Sequence, residues 1–167
     1  MRLALIGFMG SGKSTVAKYL SRLLQLACIE MDELVFERTN SLNMHEVFAK
    51  GGEPLLRSTE RALMLEYAAR ANIVLATGGG IIVSPGILDP FKQQGGRAVF
   101  LDAPFEQIAK RLVGDDTRPL FRDRLQARRL YDQRLPIYHQ LADLRIDATH
   151  SSPEQIANLI VEKLHGL

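Results

Sequence analysis

An α/β domain organised around a five-stranded parallel sheet is the fold class this sequence predicts, and three observations carry it. Apolar runs of four to six residues alternate with longer amphipathic stretches, the pattern of successive β-α-β units. Three of those runs are apolar almost throughout, as strands covered on both faces must be. A stretch with three glycines and a lysine, GFMGSGKST (7–15), follows the first run directly and opens the first helix.

The elements follow in order. RLALI (2–6) is the first strand, and the helix after it, 12–26, begins inside the glycine stretch. ACIE (27–30) is the second strand. It runs into IEMDE, where Glu30 and Asp32 point the same way if the extended conformation persists. The segment up to the third strand is too long for one crossover helix. A short helix at 43–50 and a long one at 53–71, broken by Gly51 and Gly52, account for it. NIVLAT (72–77) is the third strand, and Ser84-Pro85 caps a helix over 85–94. RAVFLD (97–102) and LRID (144–147) are the fourth and fifth strands. Ser152-Pro153-Glu154 starts a last helix over 153–165. Neither an internal repeat nor a linker interrupts the chain, so 1–167 reads as one domain.

The 167 residues are enough to bury a core without disulfides, and 46% hydrophobic with 24% charged residues describes a globular chain. A net charge of +2 argues against a nucleic-acid binder that works through a broad basic surface. The lone cysteine, Cys28, reads as a small apolar strand residue. No apolar run reaches the roughly 20 residues of a membrane span. With the first strand starting at Arg2 there is no room for a leader, so a soluble, cytoplasmic monomer without a membrane or nucleic-acid partner is expected.

Gly7-x-x-x-x-Gly12-Lys13-Ser14 fits the phosphate-binding loop, and its place between a strand and a helix is the context that motif requires. Glycines let backbone N–H groups converge on phosphate oxygens, and the helix N-terminus adds its positive dipole end. Lys13 brings a point charge and Ser14 a hydroxyl for magnesium. Gly10, Ser11, Gly12, Lys13, Ser14 and Thr15 are therefore the expected ATP and Mg²⁺ ligands. Asn-Lys-x-Asp and Leu-Ser-Gly-Gly-Gln stretches are absent, which leaves a small-molecule kinase as the leading class.

The acceptor should lie outside the carboxyl ends of the strands. Glu30 and Asp32 could bind a hydroxyl or hold magnesium, or form a solvated strand end. TGGG (77–80) costs backbone entropy with nothing to pack, which points to a ligand close to the main chain. Arg57, taken alone, reads as a surface helix residue. Seven of the fifteen arginines fall between Arg111 and Arg134. GDDTRPLF (114–121) suits a lid, about 112–124, that closes Arg118 over phosphates. Arg134 could clamp a carboxylate, whereas Arg128 and Arg129 read as solvated helix face.

Together GFMGSGKST, the carboxylates two apart, GGE followed by an arginine, TGGG, TRPL and QRLPIY resemble the shikimate kinase family, in order and over nearly the whole chain. The resemblance implies a three-layer P-loop kinase fold with strand order 2-3-1-4-5, a substrate region at about 31–60 and a mobile lid. It implies ATP-dependent phosphorylation of shikimate to shikimate 3-phosphate. By the same resemblance Asp32 orients or deprotonates the attacking hydroxyl, Arg57 and Arg134 grip the substrate carboxylate, and Gly78, Gly79 and Gly80 wall the site. Lys13 and Arg118 serve the transferring phosphoryl group, Ser14 and Glu30 the metal, and Arg111 stacks near adenine. Two departures stand out. Glu30 occupies a position usually aspartate, and DATHSSPE after the fifth strand lacks the arginines often found there. A gluconate-type sugar-acid kinase, or a kinase-like module that binds nucleotide without catalysis, is the alternative.

Overall fold

The computed structural model describes residues 1–112 and 123–165. Its sheet has five strands, β1 (Arg2–Ile6), β2 (Ala27–Glu30), β3 (Ile73–Ala76), β4 (Arg97–Asp102) and β5 (Leu144–Asp147), in the order β2-β3-β1-β4-β5. Every neighbouring pair is parallel. The expected strands and their order are thus observed, with β3 one residue shorter at each end.

Burial follows strand position. Leu3, Ala4, Leu5 and Ile6 of the central β1 are wholly inaccessible, and β3 is buried throughout, whereas the edge strands β2 and β5 are partly open. That is why the inner strands are unbroken apolar runs and the edges are not. Cys28, on β2, is half-buried, and burial pushes its thiol pKa up. Helix α1 (Lys13–Leu24) packs on β2, β3 and α7 (Pro153–His165), and α6 (Arg124–Leu141) packs on β4. Side-chain caps fix three helix starts. Asn43 accepts from Glu46 N–H, Asp123 accepts from Leu125 and Gln126, and Ser152 exchanges hydrogen bonds with Gln155.

Two local expectations need correction, and a third is met with a shifted end. The extended conformation does not persist past Glu30. Helix α2 (Met31–Thr39) starts at once, so Asp32 lies in its first turn and not on the strand. The expected break between the short and long helices is present within α3 (Met44–Ala68), where Gly52 takes the non-helical φ 62°, and the long part ends at Ala68, three residues earlier than expected. Ser84 caps no helix over 85–94. A 3₁₀ turn (Ile81–Val83) precedes it, Gly86 at φ 67° interrupts, and only Asp89–Gln93 forms α4. Helix α5 (Phe105–Arg111) completes the set among the described residues.

Because all strands run the same way, their carboxyl ends share one edge, and there β1 enters the glycine loop, β2 enters α2 and β3 enters Thr77–Gly80. Leu5 sits in the middle of that support and is fully buried. Leu5→Ala should lower the unfolding free energy by about 2–5 kcal/mol, read from chemical denaturation. A loss below about 1 kcal/mol would mean the centre of the sheet relaxes around the cavity.

Candidate active site

The glycine loop is a tight backbone cradle. Gly7, Gly10 and Gly12 have φ of 150°, 75° and 94°, and a Cβ on Gly7 would fall 2.8 Å from Ser11 Oγ and 2.9 Å from the Leu101 carbonyl. Gly12, the N-cap of α1, provides no side-chain cap, so the first N–H groups of that helix are left for a ligand. The Lys13 ammonium lies across the loop, donating to the carbonyls of Gly7 (2.8 Å) and Phe8 (2.9 Å). Arg111 Nη1 reaches the Gly10 carbonyl at 3.3 Å, which places it beside the loop. Thr15 is exposed in the first turn of α1.

Ser14 Oγ donates to Glu30 Oε2 at 2.8 Å, while Glu30 Oε1 is buried with no partner among the described residues. This is an all-oxygen pair with an unused carboxylate oxygen next to a phosphate cradle. It fits Mg²⁺, which takes one or two protein groups and completes its shell with water and substrate phosphates.

Beside the loop lies a cleft of about 460 Å³ whose walls include Asp32, Arg57, Glu60, Gly78–Gly80 and Arg134, with Met9, Phe36 and Phe48 as apolar surface. The three glycines have three different reasons to lack a side chain. A Cβ on Gly78 would come within 2.5 Å of Glu60 Oε1 and 3.3 Å of Asp32 Oδ1. One on Gly79 would fall 2.8 Å from Met9 N, and one on Gly80 would strike the Arg57 guanidinium.

Arg57 is held by carboxylates on its own helix, Glu60 at 2.6 Å and Glu53 at 2.8 Å. Burial works against its charge, but Glu60 and Glu53 outweigh that and leave its pKa above the ordinary value. Arg134 is 3% exposed, and burial, reinforced by Arg57, holds its pKa below the ordinary value. Its Nη1 approaches the Gly79 carbonyl at 3.4 Å, and its Nε has no partner among the described residues. The Tyr138 hydroxyl donates to that same carbonyl. Glu60, 1% exposed, has its pKa pushed up to about 7 by burial, against the lowering effect of Arg57 and with Asp32 adding to the rise.

The structure therefore brings Lys13, Ser14, Glu30, Asp32, Arg57, the glycine wall and Arg134 to one edge of the sheet, despite the break between Glu30 and Asp32. Arg128 and Arg129 are exposed, as expected. Arg118 and most of the lid segment lie outside the described residues. Sequence reasoning missed Glu60 and Tyr138. Their spacings, three after Arg57 and four after Arg134, put each on the same helix face as its arginine and could have flagged them.

A phosphate cradle beside a cleft with two guanidiniums, one of them buried, and a carboxylate defines the class as a P-loop phosphotransferase. The family model described as shikimate kinase matches residues 9–165. A shikimate kinase of Lactococcus lactis subsp. lactis is 41% identical over 165 residues, covering 98% of both chains. Among solved structures, shikimate kinase from Acinetobacter baumannii, in complex with shikimate, superposes with a TM-score of 0.92 at 30% identity over 99% of this chain and 93% of that one. The Aquifex aeolicus enzyme gives 0.87 at 35% identity over 99% and 97%. The chain belongs to the shikimate kinase family.

Glu60 also gives the fold a pH dependence. A folded-state pKa of about 7, against an ordinary 4.5, means the folded state holds the proton more tightly than the unfolded one. The stabilisation is complete below 4.5 and lost as pH rises through about 7. Thermal melts from pH 4.5 to 7 should show the wild type losing stability relative to Glu60→Gln. Parallel curves would place the carboxylate in an unperturbed environment.

Proposed function

We propose that the chain transfers the γ-phosphoryl group of ATP to the 3-hydroxyl of shikimate, giving shikimate 3-phosphate and ADP on the route to chorismate and the aromatic amino acids. The observation that carries the reading is the pair of guanidiniums, half-buried Arg57 and buried Arg134, in one cleft with Asp32 directly beside the phosphate loop. An acceptor with a carboxylate at one end and hydroxyls at the other matches that polarity. The relatives' names and the shikimate complex of the Acinetobacter enzyme support the same acceptor.

Arg57 and Arg134 grip the carboxylate and so set the orientation of the ring. Asp32 accepts a hydrogen bond from the attacking hydroxyl and is the base available for its proton. The hydroxyl oxygen forms a bond to the γ-phosphorus as the bond from that phosphorus to the β,γ-bridging oxygen breaks, and ADP carries away the electron pair. Positioning and charge neutralisation supply most of the catalysis in such transfers. Lys13 leaves its loop carbonyls to meet the phosphates, the α1 N-terminus cradles them, and Arg111 flanks the adenine side. Arg118, from the sequence alone, is the arginine that joins them from the lid. Ser14 and Glu30 would hold Mg²⁺, which supplies charge neutralisation across the phosphate oxygens when bound. The chain works as a single domain, 1–167, and as a cytoplasmic monomer without a nucleic-acid partner. Among the described residues no helix is long and apolar enough to cross a membrane.

Steady-state ADP production with Mg-ATP, comparing shikimate with gluconate, tests the reading. Turnover that depends on shikimate is expected. Turnover on gluconate alone would make this a sugar-acid kinase, and nucleotide binding without turnover on either would make it a non-catalytic module. Arg57→Ala should raise KM for shikimate by about tenfold or more, the size of a lost charge-assisted hydrogen bond, with KM for ATP within about twofold. An unaltered shikimate KM would remove Arg57 from the acceptor site.

A further inference from the structure

The Gly79–Gly80 peptide is the spacer between the two guanidiniums of the cleft. At one end the Gly79 carbonyl faces Arg134, and at the other Gly80 abuts Arg57 so closely that no Cβ would fit. Tyr138, one helical turn after Arg134 on α6, donates its hydroxyl to that same Gly79 carbonyl. The tyrosine is 1% exposed, and its ring stacks on Phe100 of β4 at 5.1 Å with planes 14° apart. Phenylalanine would fill that space equally well, so packing does not require the hydroxyl.

We infer that Tyr138 is a positioning residue for the acceptor: by satisfying the Gly79 carbonyl it fixes the spacer peptide and keeps the Arg134 guanidinium available to a ligand carboxylate. The two donors to that oxygen are unequal. Arg134 Nη1 stands at 3.4 Å, beyond a good N–H···O distance, and its Nε has no partner among the described residues. A half-buried carbonyl that lost the tyrosine would recruit the nearest donor, and the nearest donor is Arg134. The guanidinium would then be engaged by its own protein, and the planar peptide that separates it from Arg57 would lose its strongest tether. The inference rests on reading the cleft as the carboxylate site.

Tyr138→Phe tests it, because the ring and its stacking survive. KM for shikimate is expected to rise about fivefold, the size of one hydrogen bond, with kcat and KM for ATP within about twofold. The rise should vanish in an Arg134→Lys background, since the tyrosine acts through that guanidinium. A change in melting temperature alone, or equal rises in both Michaelis constants in either background, would overturn the proposal and leave Tyr138 a packing residue. Amide hydrogen exchange over residues 77–83 without substrate gives a reading independent of the acceptor's identity. Faster exchange in Tyr138→Phe supports the tether, and unchanged exchange overturns it. Absence of wild-type turnover on shikimate would sink the acceptor assignment, while the exchange result would still decide the role of the tyrosine.

Discussion

The parallel pairing of β1 with β3 is the constraint on which the site depends. Its register sets Leu5 against Ala76, and immediately beyond it the Thr77 N–H and hydroxyl both donate to the Leu5 carbonyl, at 3.3 and 2.8 Å. This double attachment carries the order of the ladder past its last pair. The glycine turn after β3 is thereby laid on the phosphate loop after β1, with Gly79 against the backbone of Phe8 and Met9. The phosphate loop and the glycine wall of the cleft are consequently in contact through main chain. A slip of one residue would turn every side chain of β3 to the other face and separate the two loops.

On that base the two halves of the site balance charge differently. In the phosphate loop, Lys13 satisfies itself on Gly7 and Phe8, so the cradle holds its shape before any nucleotide arrives. In the cleft, Arg57 arrives already paired with Glu53 and Glu60, whereas Arg134 makes no ion pair among the described residues and approaches the Gly79 carbonyl, the Tyr138 hydroxyl and the Phe8 ring, whose centroid lies 6.0 Å away. One guanidinium is held in place by neighbouring charges and the other by packing. Helix α6 serves both halves, since Tyr131 packs edge-on against Phe8 under the phosphate loop and the next turns carry Arg134 and Tyr138 to the Gly79 carbonyl at the cleft.

How much of this was legible in the sequence follows from what each signal depends on. The strands were readable to within a residue because buried parallel strands must be apolar, and RLALI or RAVFLD admits few other readings. The phosphate loop was readable because its geometry needs glycine, lysine and serine at fixed offsets. Helix α2 was not. MDELVFERT follows an apolar strand with no glycine, proline or side-chain cap to mark the change, and Glu30 occupies the N-cap without making a cap bond. The Ser84-Pro85 start misled because Gly86, one residue on, takes a left-handed turn that no local rule weighs against a good cap. Glu60 and Tyr138 share a helix face with Arg57 and Arg134, which helical spacing could have flagged, but the burial of Glu60 and the Gly79 partner of Tyr138 arise only in the folded chain. Glu30, conspicuous as a departure from the family pattern, nonetheless reaches Ser14 directly.

The incomplete satisfaction of Arg134 bears on what the cleft refuses. A buried cation without a direct ion pair among the described residues is tolerable beside open solvent but costly once a ligand seals the space. Uncharged polyols of the right shape would drive off water and return nothing to that guanidinium. On the proposed reading of this cleft as the carboxylate site, selection against neutral sugars would draw on that charge, because closing around a molecule that cannot pair it is itself unfavourable.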